Sequence, residues 1–275
     1  MLRFWFVEYL QIAKPDLECL HSFIFKIIDR ENLQSIIHIK KNMTLHNGIK
    51  LNGTFKETSV LEHLEEVGDD HVASSLNTPI REDAFDLSDD EKIEKIEAHF
   101  REIMNTLGLD LTDDSLNGTP RRVAKMYVKE IFSGLNPANM PKATMFDNKY
   151  KYGRMLLERN ISVYSTCEHH FLPIYGVAHV AYIANNQVVG LSKLNRLVHF
   201  YAKRPQVQER LTVQIADALR RILKTEDVAV YIDAKHMCVQ CRGVQDTGSS
   251  TVTSEYSGKF LNEGVRAEFL ASINQ

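Results

Sequence analysis

Val177-Ala178-His179-Val180-Ala181-Tyr182-Ile183-Ala184-Asn185-Asn186-Gln187-Val188-Val189 is the stretch that decides the fold. Successive side chains of a strand point to opposite faces. Val177, His179, Ala181 and Ile183 fall on one face, and Ala178, Val180 and Tyr182 on the other. Asn185-Asn186 then predicts a hairpin turn into Gln187-Val188-Val189, so the pairing is antiparallel. Upstream, strand character begins near Arg154, and Ile161-Ser162-Val163-Tyr164 alternates in the same way. Downstream, a helix is predicted from Ser192 to about Ala202. A second runs from Val207 to Leu223, with Leu211, Ile215, Leu219 and Ile222 facing one way. Val228 to Asp233 reads as a strand, and the β-branched, alternating Thr247 to Ser257 as a final strand or hairpin.

Two helices precede the strands. Ser88-Asp89-Asp90-Glu91 is a capping box, in which Ser88 accepts from the Glu91 N–H while Glu91 reaches back. Ile93, Ile96, Phe100, Ile103, Met104 and Leu107 follow on one helical face, and Gly108 stops the helix. Thr119-Pro120 opens the next, with Thr119 as N-cap and Pro120 at the first helical position. It runs to about Phe132, and Gly134 ends it. Helices, strands, a helix pair and more strands make an α+β fold. Its mostly antiparallel sheet carries the helix pair on one face, behind an N-terminal helical region, and it is not doubly wound.

The 275 residues are 44% apolar and 25% charged, ordinary for a globular protein. A formal net charge of −3 supplies no general field for a polyanion, so no nucleic-acid partner is expected. No apolar run of about 18 residues marks a membrane helix. The four cysteines, Cys19, Cys167, Cys238 and Cys241, are too few for a disulfide framework. Free thiols or metal ligands in a reducing compartment, the cytoplasm, are the expectation.

Three zones are expected. Residues 1–42 are an apolar, Lys-rich N-terminal extension. Its first twelve residues are apolar with one Arg, but Glu8 interrupts them and Lys14-Pro15-Asp16 follows without a small-residue cleavage site, unlike a signal peptide. Met43 is an alternative start. Residues 43–85 form a polar flexible arm, rich in acids from Glu62 to Asp70, with one short helix around Ser59 to Val67. Residues 86–275 form the folded domain.

The densest chemistry is Ser165-Thr166-Cys167-Glu168-His169-His170, answered by Lys235-His236-Met237-Cys238-Val239-Gln240-Cys241-Arg242. Cys-x₂-His and Cys-x₂-Cys are spacings that ligate zinc, and thiolate with imidazole suits that ion. Two readings compete. A closed site uses Cys167, His170, Cys238 and Cys241 and only staples the fold. An open site uses three ligands and leaves the fourth position to water. His169 and His236 favour the second, because a staple needs no extra imidazoles and a hydrolytic site needs proton carriers near neutral pH. Glu168 is a candidate to orient a ligand from behind. His99, His179 and His199 read as solvated or structural.

Gly190-Leu191-Ser192-Lys193-Leu194-Asn195-Arg196 follows a strand and opens a helix, a natural place for phosphate, although Ser192 equally reads as an ordinary N-cap. Arg196 adds a second cation one turn on. Arg204-Pro205-Gln206-Val207-Gln208-Glu209-Arg210 begins the next helix. Glu209 either complements that helix dipole or accepts from the N1–H and amino group of a guanine. Arg121, Arg122 and Lys125 form a further basic cluster, and Arg242 brings a cation beside the second cysteine segment.

Together these segments resemble GTP cyclohydrolase I. The matching blocks are Thr119 to Met126, Ser165 to Phe171, Gly190 to Arg196, Arg204 to Leu211 and His236 to Val244, in family order and spacing across about two-thirds of the chain. The resemblance implies a T-fold and a toroidal homodecamer with active sites between subunits. It implies zinc on Cys167, His170 and Cys238, with a water on the open position whose pKa the ion lowers, and excludes Cys241 from the ligands. It implies GTP as substrate, attack at C8 of the guanine, loss of formate and reclosure to 7,8-dihydroneopterin triphosphate, the first step of pterin formation. In that scheme His169 and His236 move protons, Ser192 contacts the ribose, and Glu209 anchors the guanine with Gln208 beside it. Lys193, Arg196 and Arg242 hold the triphosphate, and Arg122 and Lys125 come from a neighbouring subunit. Two rivals remain at this level. One is a zinc-stabilised scaffold without turnover. The other is a zinc deaminase, although no H-x-E lies near Cys167 and no Pro precedes the Cys238–Cys241 pair, unlike the H-x-E and P-C-x-x-C pattern of that class.

Overall fold

The structure, a computed structural model, describes residues 75–142 and 145–274. The expected extension over residues 1–42, the arm as far as residue 74, its short helix and Cys19 lie outside the described residues. The capping box forms as expected: Ser88 Oγ accepts from the Glu91 N–H at 3.3 Å, and the Glu91 carboxylate accepts from the Ser88 N–H at 2.8 Å. It opens α1 (Asp89–Thr106), which buries Ile93 and Met104. Ile103 and Leu107 of the same predicted stripe stay exposed, because α1 packs chiefly against one other helix. Gly108 follows at φ +79°, a left-handed conformation that glycine adopts without penalty. After α2 (Asp114–Asn117) comes that partner helix, α3 (Thr119–Met126). Its cap residue is Gly118 rather than Thr119, which moves Thr119 and Pro120 into the first turn, where the missing proline N–H is not needed. A wider turn at Tyr127–Ile131 carries the helix to Phe132.

The chain then runs through β1 (Met145–Asp147), β2 (Met155–Cys167), β3 (Pro173–Ile183), β4 (Gln187–Val189), α4 (Leu191–Ala202), β5 (Pro205–Gln206), α5 (Gln208–Leu223), β6 (Val228–His236), α6 (Met237–Gln240), β7 (Thr251–Tyr256) and α7 (Glu263–Ile273). The main sheet has the order β5-β2-β3-β6-β7, and every pairing in it is antiparallel except the short parallel contact of β5 with the end of β2. Helices α4 and α5 cover one face. Leu194, Leu197, Val198, Leu211, Ile215 and Leu219 pack there on Val163, Ala178, Val180, Tyr182, Val230 and Ile232, all nearly or fully buried. The expected α+β fold, with its helix pair on one face, is the observed one.

Three further features differ from expectation. The turn at Asn185-Asn186 does not fold β4 back on β3. β4 pairs instead with β1 in a separate two-stranded sheet, Met145 opposite Val189. Both edges of β3 are already taken at that end, by Met155 of β2 opposite Ile183 and by Val228 of β6 opposite Tyr182. The link that survives is the Val189 N–H donating to the Tyr182 hydroxyl at 3.2 Å. Second, Gly190 is the cap residue of α4, so Ser192 lies inside the first turn and does not cap the helix. Third, α7 was not foreseen. It packs Phe269 with Phe260 against Ala181, Ile183 and Ala229 on the sheet face opposite the helix pair.

Candidate active site

Three elements converge at one end of the sheet. β2 ends at Cys167, and a tight turn follows in which the Phe171 N–H returns to the Cys167 carbonyl at 2.9 Å. Phe171 takes a left-handed backbone, φ +55°. The turn displays Glu168, His169 and His170. β6 runs three residues beyond the predicted Asp233 and places His236 opposite Ile174. The short α6 then returns Cys238 towards Cys167. One ligand atom each from Cys167, His170 and Cys238 lie within 4.8 Å of one another, with Cys167 buried and the other two half-buried. Cys241 is outside this group: it is exposed, and its thiol donates to the Met237 carbonyl at 2.9 Å.

The donor set fits a soft divalent cation. Burial, reinforced by the adjacent Cys167 thiol, pushes the Cys238 thiol up to about 11. A cation that binds thiolates removes that penalty, and two sulfurs with one imidazole are the donors zinc prefers. Arg242 reaches the same group, with its guanidinium 2.8 Å from His170 Nε2.

His236 is held by Gln208, which is fully buried at the start of α5. The Gln208 amide nitrogen donates to the carbonyls of Ile232 (3.2 Å) and Thr251 (2.8 Å) and to Thr253 Oγ1 (3.1 Å). Its amide orientation is thereby fixed, and Oε1 is left to accept. His236 Nε2, 2.8 Å away, therefore carries the proton, and Nδ1 is the basic nitrogen. Burial lowers the His236 pKa below the ordinary imidazole value, against the opposing pull of Glu209. The ring is a neutral base at neutral pH.

Cys167, Glu168, His169, Gln208, Glu209, His236 and Cys238 line one cleft of about 870 Å³ together with Thr78, Pro79, Ile80 and Leu135, while His170 and Arg242 are not part of its lining. A family model for GTP cyclohydrolase I matches residues 96–274, which span the whole convergence except the Thr78–Ile80 side of the cleft. This chain belongs to the GTP cyclohydrolase I family. It is 64% identical over 212 residues to GTP cyclohydrolase 1 of Flavobacterium johnsoniae, covering 77% of this chain and 95% of the relative. The GTP cyclohydrolase 1 proteins of Aeromonas hydrophila (55% over 204 residues, 74% of this chain and 93% of the relative) and Vibrio cholerae (57% over 184 residues, 66% and 85%) are similar as well. A GTP cyclohydrolase I is an enzyme, and so is this chain.

The other sequence-predicted residues lie elsewhere. Ser192 and Arg196 are exposed on α4 and Lys193 is half-buried there; Arg122 and Lys125 are exposed on α3. Among the described residues that line the cleft, none of these five appears. The Arg122 guanidinium donates to Thr119 Oγ1 at 2.8 Å and to the Ser115 carbonyl at 3.1 Å. Sequence reasoning passed over Arg210 and Gln214, buried polar groups outside the lining of the cleft, and Gln206, a buried residue of the lining itself. One signal was available: Arg210 and Gln214 stand one residue before Leu211 and Ile215 and repeat at the same helical spacing, so they flank the buried stripe of α5.

Proposed function

We propose that this cyclohydrolase hydrolyses the imidazole ring of GTP, releases formate and forms 7,8-dihydroneopterin triphosphate as the first step of pterin biosynthesis, with zinc on Cys167, His170 and Cys238. The observation that carries the reading is a three-donor group, two of whose members line a cleft with two further histidines and a buried glutamine, in a GTP cyclohydrolase I chain. Zinc, when bound, supplies Lewis acidity and a nucleophile at neutral pH. The chain supplies the rest. Glu209 accepts from the guanine edge and fixes which carbon faces the donor group. His236, neutral and oriented through Nε2 by Gln208, takes a proton at Nδ1 as water adds at C8. His169 returns a proton to the departing ring nitrogen. After formate leaves, Ser192, brought to the cleft by a neighbouring copy of the chain, contacts the ribose during the rearrangement that precedes reclosure.

Five of the proposed contacts need a second chain. Ser192, Lys193, Arg196, Arg122 and Lys125 lie away from the lining of the cleft, and a homo-oligomer, a homodecamer by resemblance, brings a neighbour's copies to it. Arg242, beside His170, joins them on the triphosphate. We further propose residues 86–275 as the catalytic domain, residues 43–85 as a polar arm whose Thr78–Ile80 portion reaches the cleft, and residues 1–42 as an extension. The described cysteines are free thiols, which suits the cytoplasm. Among the described residues, no helix is long and apolar enough to cross a membrane.

The test is to incubate purified protein with GTP, with and without a zinc chelator, and to measure formate and the fluorescent oxidised pterin. Equal amounts of both products, lost on chelation and restored by zinc, are expected. Ammonia in place of formate contradicts the reading.

A further inference from the structure

We propose that Ser75–Ile80 is a wall of the active-site cleft, and that Arg210 is the positioning residue that ties this wall to the turn carrying Glu168 and His169. The proposal rests on the GTP cyclohydrolase reading of the cleft. It concerns a segment that precedes the stretch matched by the family model, which begins at residue 96.

Thr78, Pro79 and Ile80 line the same cleft as His169, Glu209 and His236. The segment is held there by its main chain. Arg210 Nε donates to the Ser75 carbonyl at 2.7 Å, and the Gln214 amide donates to the Leu76 carbonyl at 3.1 Å. Both donors come from α5 and are almost fully buried, Arg210 at 4% and Gln214 at 6% exposed.

Each latch continues to the same residue. The two terminal nitrogens of Arg210 donate to both carboxylate oxygens of Glu168, Nη1 to Oε2 and Nη2 to Oε1 at 3.1 Å. Gln214 Oε1 accepts from the Gln206 amide at 2.9 Å, and the Gln206 carbonyl accepts from the Glu168 N–H at 3.0 Å. One route fixes the Glu168 side chain and the other its backbone. Glu168 stands between Cys167 and His169, and its carboxylate is 3.7 Å from His169 Nε2. The wall and the catalytic turn therefore move together.

The chemistry requires arginine. Bidentate pairing to a carboxylate with a third donor aimed sideways uses the rigid fork of a guanidinium, which an ammonium does not reproduce. Arg210 acts on Glu168 and on the wall, so its effect on turnover passes through their placement. Misplacing a catalytic group by about 1 Å costs about a hundredfold in rate.

Two full-length, zinc-loaded variants test this, with steady-state kinetics on GTP, equilibrium binding of GTP, zinc content and thermal unfolding measured on each. The double change Pro79→Gly and Ile80→Gly leaves both carbonyl latches in place and strips the wall of its side chains. It is expected to raise KM and the GTP dissociation constant about tenfold with kcat unchanged. Arg210→Lys is expected to lower kcat about a hundredfold, with zinc content equal to the wild type. If Arg210→Lys does not fold, Gln214→Leu cuts the second latch alone, and a fall in kcat with zinc retained is expected. Wild-type KM and kcat in the wall variant overturn the proposal. So does a loss of activity in the latch variants that only tracks lost zinc or lost folded protein. A wild type that neither binds GTP nor releases formate overturns the underlying reading, and this proposal with it.

Discussion

Gln208 determines which nitrogen of His236 is basic, and burial determines how basic it is. The imidazolium is disfavoured in the cleft, and the Glu209 carboxylate partly restores it. Removing that carboxylate in Glu209→Gln takes away support for the charged ring, so the His236 pKa should fall further. An NMR titration of His236 checks this, and a rise would contradict the assigned neighbours. In the wild type, the base form persists below the ordinary imidazole value, so the acid limb of the activity profile should lie below about pH 6.5. Cys238 gives a second prediction. Its thiol keeps a proton up to about 11 in the metal-free protein, and zinc must displace that proton. Apparent zinc affinity should rise at least about tenfold per pH unit between pH 6 and 8. Competition against a chelator measures it. Cys241→Ala should follow the same line, because its thiol turns to the Met237 carbonyl.

At the scale of elements, the ends of β2 and β6 set the distance between the two halves of the site. Gly176 of β3 faces Ala234 of β6, two pairs from Ile174 and His236. A Cβ there would sit 2.1 Å from the Asp233 carbonyl oxygen and 2.5 Å from the Ala234 Cα. Gly176→Ala should therefore force the strands apart, cost about 3 kcal/mol by denaturant unfolding and lower turnover by displacing His236. Unchanged stability would show that β6 gives way freely. The strands and the helix pair were legible because periodicity is local: Val177 to Ile183 alternates and Leu211 to Ile222 repeats at helical spacing, whatever the partner. The partner of β4 was not legible, because β2 and β6 occupy the edges of β3 from distant parts of the chain. The latched segment was hidden for another reason: α5 holds it by the Ser75 and Leu76 carbonyls, which leave no trace in side-chain identity. In the site, Cys167, His170 and Cys238 could be read from spacing. The role of Cys241 could not, since only the α6 turn shows which way its thiol points.

For the molecule as a whole, the two sheet faces do different work. One packs the helix pair that presents Gln208 and Glu209; the other is covered in part by α7 and holds His179. Burial, with Arg159 nearby, keeps the His179 pKa below its ordinary value of 6.5, against the pull of Asp233. Because the folded value is depressed, the unfolded chain takes up a proton below about pH 6.5 that the folded chain refuses. The contribution is present above that pH and is lost as pH falls towards the folded value. Melting temperature between pH 7 and 5 should therefore drop more steeply in the wild type than in His179→Asn, and parallel curves would contradict this. In the proposed mechanism the chemistry depends on an open donor group of Cys167, His170 and Cys238. Its most direct test is formate release from GTP by zinc-loaded wild type, Cys241→Ala and His236→Ala, measured side by side with zinc content. Formate and pterin from the first two, none from His236→Ala, and zinc retained in all three is the predicted result. No product from a wild type that holds zinc, with zinc lost in Cys241→Ala, would mean a closed four-ligand staple and would contradict it.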